Sequence, residues 1–148
     1  MMLEEFLKNG KLGSLYLGLS RDEVRRLLGE PPNHSERSWK NEIWKYDGLE
    51  LAFWADSLSF IGLYFEDGEV IVPEALLRAG KITIENDRVG EVEEFLRAQR
   101  IDFKVEDDLT FDEYKVLRTT GSRVGIGFVA DRLRSMQLIR HDPNLAEE

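Results

Sequence analysis

Residues 43–65, IWKYDGLELAFWADSLSFIGLYF, contain the strongest strand signals of the chain. Two turn signals, Asp47-Gly48 and Ala55-Asp56, divide it into three runs rich in apolar residues. In the second and third runs the side chains alternate with period two, which is the spacing of a strand that buries one face. An Asp-Gly pair between such runs predicts a type I′ hairpin, in which both turn residues have positive φ. The stretch therefore predicts a three-stranded antiparallel meander.

The two faces of this meander differ. One face is apolar, and we expect it to form the core with Leu49, Leu51, Phe53, Ile61, Leu63 and Phe65. Trp54, Phe60 and Tyr64 point the other way, and exposed Trp and Tyr are typical anchors of protein interfaces. We predict that these three rings bind a partner, with Trp39 as an additional candidate. The alternative is that a polar loop, predicted at residues 33–41, or the N-terminal helix covers them.

Helix signals precede the meander. Ser20-Arg21-Asp22-Glu23 is a capping box, in which the Ser20 hydroxyl accepts a hydrogen bond from the Glu23 amide and the Glu23 carboxylate accepts one from the Ser20 amide. Gly29 ends this helix. Helical spacing predicts an earlier helix that includes residues 3–7.

Helix and strand signals also follow the meander. Pro73 suits the first turn of a helix, which Gly80 would end. Residues 91–100 have the spacing of another helix, and residues 141–148 form a polar tail. Three later strands are predicted, at residues 114–119, 124–129 and 133–139.

A weak internal repeat is present at an offset of 75 residues, where the turn Ala55-Asp56 matches Ala130-Asp131 between two matching alternations. We therefore predict an α+β fold built as a tandem pseudo-repeat, residues 11–72 and 81–140. Each unit would contain a helix plus a three-stranded antiparallel meander. Together they would form a single domain of residues 1–148, with one layer of sheet of about six strands and the helices on one face.

Three segments follow a known pattern: LGLSRDEVRRLLGEPP (residues 17–32), IWKYDGLELAFW (43–54) and SLSFIGLYF (57–65). Through them the chain resembles the helix-plus-meander module of β-lactamase-inhibitor-like proteins and small outer-membrane assembly lipoproteins. It also resembles bacterial proteins found as immunity partners of secreted toxins. The lipoprotein branch is disfavoured because the sequence has neither an export signal nor an anchoring Cys. The resemblance implies a protein that binds another protein through the sheet surface away from its helices.

Composition narrows the classes of function. The 29 acidic and 20 basic residues give a net charge of −9, which should repel nucleic acid and anionic membranes and attract a basic partner. Solubility alone is the alternative explanation of this charge. The absence of Cys excludes disulfides and thiolate metal sites and fits a reducing compartment. Without a signal peptide or an apolar run near the roughly 18 residues of a membrane span, we expect a cytoplasmic bacterial protein.

Acidic residues form two clusters, one of which is Glu66, Asp67 and Glu69 and the other Glu106, Asp107, Asp108, Asp112 and Glu113. We predict that Glu66 and Asp67 belong to a rim that steers a basic partner, such as a nuclease toxin, toward the aromatic face. Solvated loops are the alternative. The first cluster lacks the spacing of a calcium loop, and we expect neither a metal nor another cofactor.

Catalytic patterns are absent from the sequence. His34 and His141 are the only histidines, and neither belongs to a Ser-His-Asp or His-Glu-x-x-His arrangement. A carboxylate pair could act as acid and base, but nothing singles out two of the 29 acids. We therefore predict a non-enzymatic protein-binding module, either an immunity protein that neutralises a toxin or a scaffold module that forms a homodimer through the same face.

Overall fold

A computed structural model of the chain describes residues 2–36 and 40–140. Within this part of the chain there are three α-helices, α1 (Met2–Asn9), α2 (Arg21–Leu28) and α3 (Val89–Ala98). A short 3₁₀ helix spans Asp107–Leu109. The predicted site residue Trp39 and the predicted tail at residues 141–148 lie outside the described residues.

The capping box at the start of α2 is confirmed. The Glu23 amide donates to Ser20 Oγ at 3.2 Å, and the Ser20 amide donates to a Glu23 carboxylate oxygen at 3.0 Å. Gly29 ends the helix with a φ of 82°, and its amide donates to the Arg25 carbonyl at 2.7 Å. These contacts pair backbone groups that a helix otherwise leaves unpaired at its ends.

Ten β-strands complete the secondary structure of the described residues, and eight of them form one antiparallel sheet in the order β1-β2-β3-β4-β10-β9-β8-β7. Their bounds are β1 Asn33–Glu36, β2 Asn41–Tyr46, β3 Leu49–Trp54, β4 Ser57–Tyr64, β5 Glu69–Ile71, β6 Lys81–Thr83, β7 Phe103–Val105, β8 Tyr114–Thr119, β9 Gly125–Val129 and β10 Arg132–Ile139. The α+β class and the large antiparallel sheet are therefore confirmed, but the sheet has eight strands rather than about six.

Part of this difference arises at one edge of the sheet, in a segment that the sequence predicts to be a loop. There β1 pairs with β2 in antiparallel register, from Asn33 opposite Lys45 to Glu36 opposite Glu42. The first three side chains of β1 are exposed, so the strand buries neither face. A strand without a buried face has no apolar alternation, and for that reason the sequence pattern does not reveal it.

The centre of the sheet is a seam between β4 and β10. These strands pair antiparallel, from Phe60 opposite Ile139 to Tyr64 opposite Ser135. Ser59 is an extra residue in the pairing of β4 with β3, and Arg134 is an extra residue in the pairing of β10 with β9. The seam joins β1–β4 to β7–β10 in one sheet. The tandem pseudo-repeat itself stays a prediction.

The hairpin at Asp47-Gly48 is present, but the predicted type I′ turn is wrong. Of the two turn residues only Asp47 has positive φ, at 56°. Gly48 is instead crowded, since a Cβ atom there would lie 2.5 Å from Val70 Cγ2 and 2.9 Å from the Ile71 carbonyl oxygen. The Gly48 amide also donates to that carbonyl at 2.8 Å. Glycine is needed here because another strand packs against the turn.

The helix predicted from Pro73 is also wrong. β5 and β6 pair antiparallel, from Glu69 opposite Thr83 to Ile71 opposite Lys81, so the segment between them closes a two-stranded ribbon. Its hydrogen bonds make single turns, such as the Leu76 amide donating to the Pro73 carbonyl at 2.9 Å. Pairing of the two strands therefore overrides the local helix signal.

One face of the large sheet, the inner face, packs against the helices. The predicted core residues are each no more than 3% exposed: Leu49, Leu51, Phe53, Ile61, Leu63 and Phe65. They belong to the same buried cluster as Phe6 of α1, Val24 of α2 and Leu96 of α3. The opposite face, which we call the outer face, carries the side chains that alternate with these residues.

Candidate partner-binding surface

A row of polar residues and glycines crosses the outer face. In register from β2 to β7 the row is Lys45, Glu50, Gly62, Gln137, Gly125, Arg118 and Lys104. Adjacent strands lie about 5 Å apart, so the row runs across nearly the whole width of the sheet. Its glycines leave the surface low, and larger side chains stand on either side.

Phe60 and Tyr64 lie together on the outer face, as predicted. A Cβ atom at Gly62, between them in β4, would lie 2.9 Å from the Phe60 ring and 3.2 Å from the Tyr64 ring. Trp54 is half-buried at the other end of the meander, opposite Ser57, and the Lys40 ammonium lies 5.9 Å from its ring centroid. Strand geometry separates Ser57 from Tyr64 by roughly 20 Å, so the structure does not bring Trp54 into one cluster with Tyr64.

The hydroxyl of Tyr64 is fixed while its ring stays accessible. It donates to a Glu50 carboxylate oxygen at 3.0 Å and accepts from the Gln137 side-chain amide at 3.2 Å. Burial and the hydrogen bond to Glu50 raise the pKa of Tyr64 to about 12. The side chain is nonetheless 40% exposed. Tyr64 therefore presents a positioned, neutral aromatic ring to solvent.

Two exposed aromatic residues in the second half were missed by the sequence prediction. The Phe111 and Tyr114 rings stack with centroids 5.9 Å apart and planes inclined by 14°. Phe111 is 62% exposed and Tyr114 is 41% exposed. Val129, Ser135 and Ile139, which lie 75 positions after Trp54, Phe60 and Tyr64, are not aromatic, yet the second half has exposed aromatic residues of its own.

A groove of about 240 Å³ lies between these rings and β10 on the outer face. Gly125 and Gly127 of β9 lie at its floor, because they pair with Arg118 and Val116 on one side and with Gln137 and Ser135 on the other. The full lining is Leu109, Phe111, Tyr114, Val116, Arg118, Gly125, Gly127, Ser135, Gln137 and Ile139.

Acidic residues border one end of the outer face. Glu66 and Asp67 follow the end of β4, while Asp112 and Glu113 precede β8, and the antiparallel order places both pairs at the same end of the sheet. All four are exposed, and none forms an ion pair with any residue that the structure describes. Asp107 and Asp108 are likewise exposed and form no ion pair with a described residue. Glu106, by contrast, accepts from Arg118 Nε at 2.6 Å.

Catalytic and metal-binding arrangements are not evident in residues 2–36 and 40–140. His34 is exposed, and its Nδ1 lies 3.7 Å from one carboxylate oxygen of Glu42, whose other oxygen accepts from Arg21 Nε at 2.6 Å. No group of three or more His, Asp or Glu side chains is placed to hold a metal ion in this part of the chain. None of the described helices is both long enough and apolar enough to cross a bilayer.

Comparisons with known proteins add no assignment to this surface. No protein-family model matches the chain. Searches of curated proteins and of solved structures likewise found no match.

Proposed function

We propose that the chain is a non-enzymatic protein-binding module whose outer face binds a protein partner. One observation carries this proposal. Five of the seven large hydrophobic side chains that are exposed among the described residues lie on or beside this face: Tyr64, Leu109, Phe111, Tyr114 and Ile139. Exposed apolar groups grouped on one face are typical of interaction sites, whereas single ones are ordinary.

The partner that we propose is a basic protein. The net charge of −9 and the unpaired carboxylates at the end of the outer face both favour a positively charged surface. A bacterial toxin with a basic surface fits these requirements, and the resemblance to immunity proteins supports that choice. Inhibition would then follow from occupation of the toxin surface, in the cytoplasm of the producing cell.

The finer architectural part of the proposal is the tandem pseudo-repeat, in which α2 with β1–β4 and α3 with β7–β10 are related units. It is supported by β4 and β10, which have eight residues each and begin 75 positions apart at Ser57 and Arg132. The extra residues Ser59 and Arg134 have the same offset. Superposition of the two halves in an experimental structure tests it, and halves that superpose no better than unrelated helix–meander units would refute it.

A second candidate is self-association through the same face, as a scaffold module. The mixed charges of the polar row favour it, because Lys45 and Glu50 lie toward one side and Arg118 and Lys104 toward the other. In an antiparallel face-to-face pair, Glu50 of one copy could meet a basic residue of the second. Sedimentation at micromolar concentration separates the two candidates, since a monomer at all concentrations argues against the homodimer.

A matched pair of isoleucines tests the main proposal. Ile139 is 61% exposed on the outer face, and Ile71 is 49% exposed on the ribbon. Wild-type protein, Ile139→Ala and Ile71→Ala would each be used to capture partners from a lysate of the source cell, followed by titration of the captured protein. We expect Ile139→Ala to weaken binding at least about tenfold and Ile71→Ala to have no effect. Equal binding by all three proteins would refute the proposal.

A further inference from the structure

The groove on the outer face has the size of a side-chain pocket. Its volume of about 240 Å³ is below the roughly 300–1,000 Å³ of sites that enclose a small-molecule ligand. It can hold one large side chain that projects from a partner. This inference rests on the proposed function and deepens it by naming the chemistry that the partner brings.

The walls of the groove favour an aromatic side chain. On one side the stacked rings of Phe111 and Tyr114 offer apolar faces and edges. At one end the planar Arg118 guanidinium is immobilised, because Nε donates to Glu106 at 2.6 Å and Nη1 donates to the Arg123 carbonyl at 3.1 Å. Aromatic rings pack well against other rings and against guanidinium planes.

The glycines of the floor make room for side chains of the neighbouring strands. A Cβ atom at Gly125 would lie 3.3 Å from the Arg118 guanidinium, and one at Gly127 would lie 2.8 Å from Ser135 Oγ. Because glycine has no side chain, the Arg118 guanidinium and the Ser135 hydroxyl lie low against β9, and the groove between Tyr114 and Ile139 stays open.

The charges around the groove define what flanks that aromatic residue. Asp107 and Asp108 lie just before the wall residue Leu109, and Asp112 and Glu113 lie between Phe111 and Tyr114. These four carboxylates have no ionic partner among the described residues, while the one cation in the groove, Arg118, is already paired with Glu106. Added positive charge is therefore favoured beside the groove, and added negative charge is disfavoured.

We propose that the groove binds an aromatic side chain that is flanked by Lys or Arg in the partner protein. The aromatic ring fills the space between Tyr114 and Ile139, beside the Arg118 guanidinium. The flanking cations contact the carboxylates of residues 107–113. An acidic segment, or a basic segment without the ring, binds poorly.

Three blocked tripeptides test this inference directly: acetyl-Lys-Trp-Lys-amide, acetyl-Glu-Trp-Glu-amide and acetyl-Lys-Ala-Lys-amide. Each is titrated into uniformly ¹⁵N-labelled protein, and amide shifts are followed by NMR. We expect the first peptide to shift the amides of Gly125, Gly127 and Tyr114, and the other two to bind about tenfold or more weakly. If these shifts are absent at up to roughly 10 mM of the first peptide, the inference is overturned. A side-chain pocket should bind its ligand with a dissociation constant below that concentration.

Variants of exposed residues provide the controls. Phe111→Ala removes a wall at a side chain that is 62% exposed, so it should fold normally and lose most of the peptide-induced shift. Ile71→Ala should behave as wild type. Asp108→Asn with Asp112→Asn should weaken acetyl-Lys-Trp-Lys-amide a fewfold and reduce its salt dependence. Peptide shifts that Phe111→Ala leaves unchanged overturn the inference.

The outcomes separate this inference from the proposed function. If Ile139→Ala abolishes capture of the partner but the tripeptides leave the groove unshifted, only the inference fails. If the groove binds acetyl-Lys-Trp-Lys-amide but capture of the partner is insensitive to Ile139→Ala, the proposed function fails instead. Shifts of Gly125 and Gly127 with protein concentration alone would assign the groove to a second copy of the chain and overturn the basic-partner inference.

Discussion

Substitution of Gly48 by alanine tests the packing of the β2–β3 turn against the ribbon. The new methyl carbon would lie 2.5 Å from Val70 Cγ2 and 2.9 Å from the Ile71 carbonyl oxygen, both closer than van der Waals contact. The φ of Gly48 lies outside the left-handed region, so the steric conflict comes from these neighbours and not from the backbone conformation of the turn. The ribbon has to move for alanine to fit.

The expected loss of stability is the sum of two destabilising effects and one stabilising effect. Forcing a methyl group into a well-packed site typically costs about 1–3 kcal/mol. Disturbing the hydrogen bond from the Gly48 amide to the Ile71 carbonyl adds about 1 kcal/mol. The lower conformational entropy of alanine in the unfolded chain returns roughly 0.4–1 kcal/mol. We therefore expect Gly48→Ala to lower the free energy of unfolding by about 2 kcal/mol.

Urea unfolding followed by tryptophan fluorescence measures this loss, since Trp44 is only 1% exposed in the folded protein. A double-mutant cycle with Val70→Ala removes the nearest methyl group, and the combined loss should be about 1 kcal/mol smaller than the sum of the single losses. Gly90→Ala is the control, because no atom apart from its chain neighbours and the helix backbone lies within 4 Å of a Cβ there, and in α3 it should stabilise by about 0.5 kcal/mol. A strictly additive cycle, or no loss for Gly48→Ala, would show that the ribbon does not crowd position 48.

Three further outcomes are expected. Ser20→Ala removes the N-cap of α2 and should lower the free energy of unfolding by about 1 kcal/mol in the same assay; an unchanged value would contradict the cap. Burial raises the pKa of Tyr46 and of Tyr64 to about 12 from the ordinary value of 10.0. Their stabilising contribution is therefore complete below pH 10 and is lost as the pH rises toward 12. A tyrosinate absorbance titration should show two late groups in the folded protein, and Tyr46→Phe should remove one; if all tyrosines titrate near pH 10 the burial argument fails. Trp54→Ala should reduce affinity for the partner less than Phe111→Ala, because Trp54 lies at the end of the sheet away from Phe111. If titration calorimetry gives the opposite order, the interface lies closer to β3.

Local signals were sufficient for the elements that depend on near neighbours. The capping box needs only Ser20 and Glu23, three residues apart, and both contacts form. The alternation of Leu49, Leu51 and Phe53 needs only one strand, and its buried face is the predicted one. The α+β class follows from such signals because they report the type of element and its buried side.

Contacts between distant parts of the chain could not be predicted from the sequence pattern. The alternation of Tyr114, Val116 and Arg118 indicates that they share a face, but only the pairing of β8 with β9 places them beside Gly125 and Gly127. The groove could therefore not be predicted, although its exposed aromatic residues are visible in the sequence. The requirement for glycine at position 48 also comes from a distant contact, since the neighbour that crowds it lies more than twenty residues later in the chain.

The seam between β4 and β10 also bears on how fast the molecule forms. β3 and β4 meet after a two-residue turn, whereas β4 and β10 join segments whose first residues are 75 positions apart. Closing a loop of that length rather than one of about ten residues costs roughly 2 kcal/mol more in chain entropy. We expect the two meanders to form first and the seam to close after the rate-limiting step, so that truncation of Leu138 accelerates unfolding and leaves the refolding rate nearly unchanged in stopped-flow measurements. Until the seam closes, β4 and β10 are both open edges that another chain can pair with, which makes this step the one at which misassembly competes with folding.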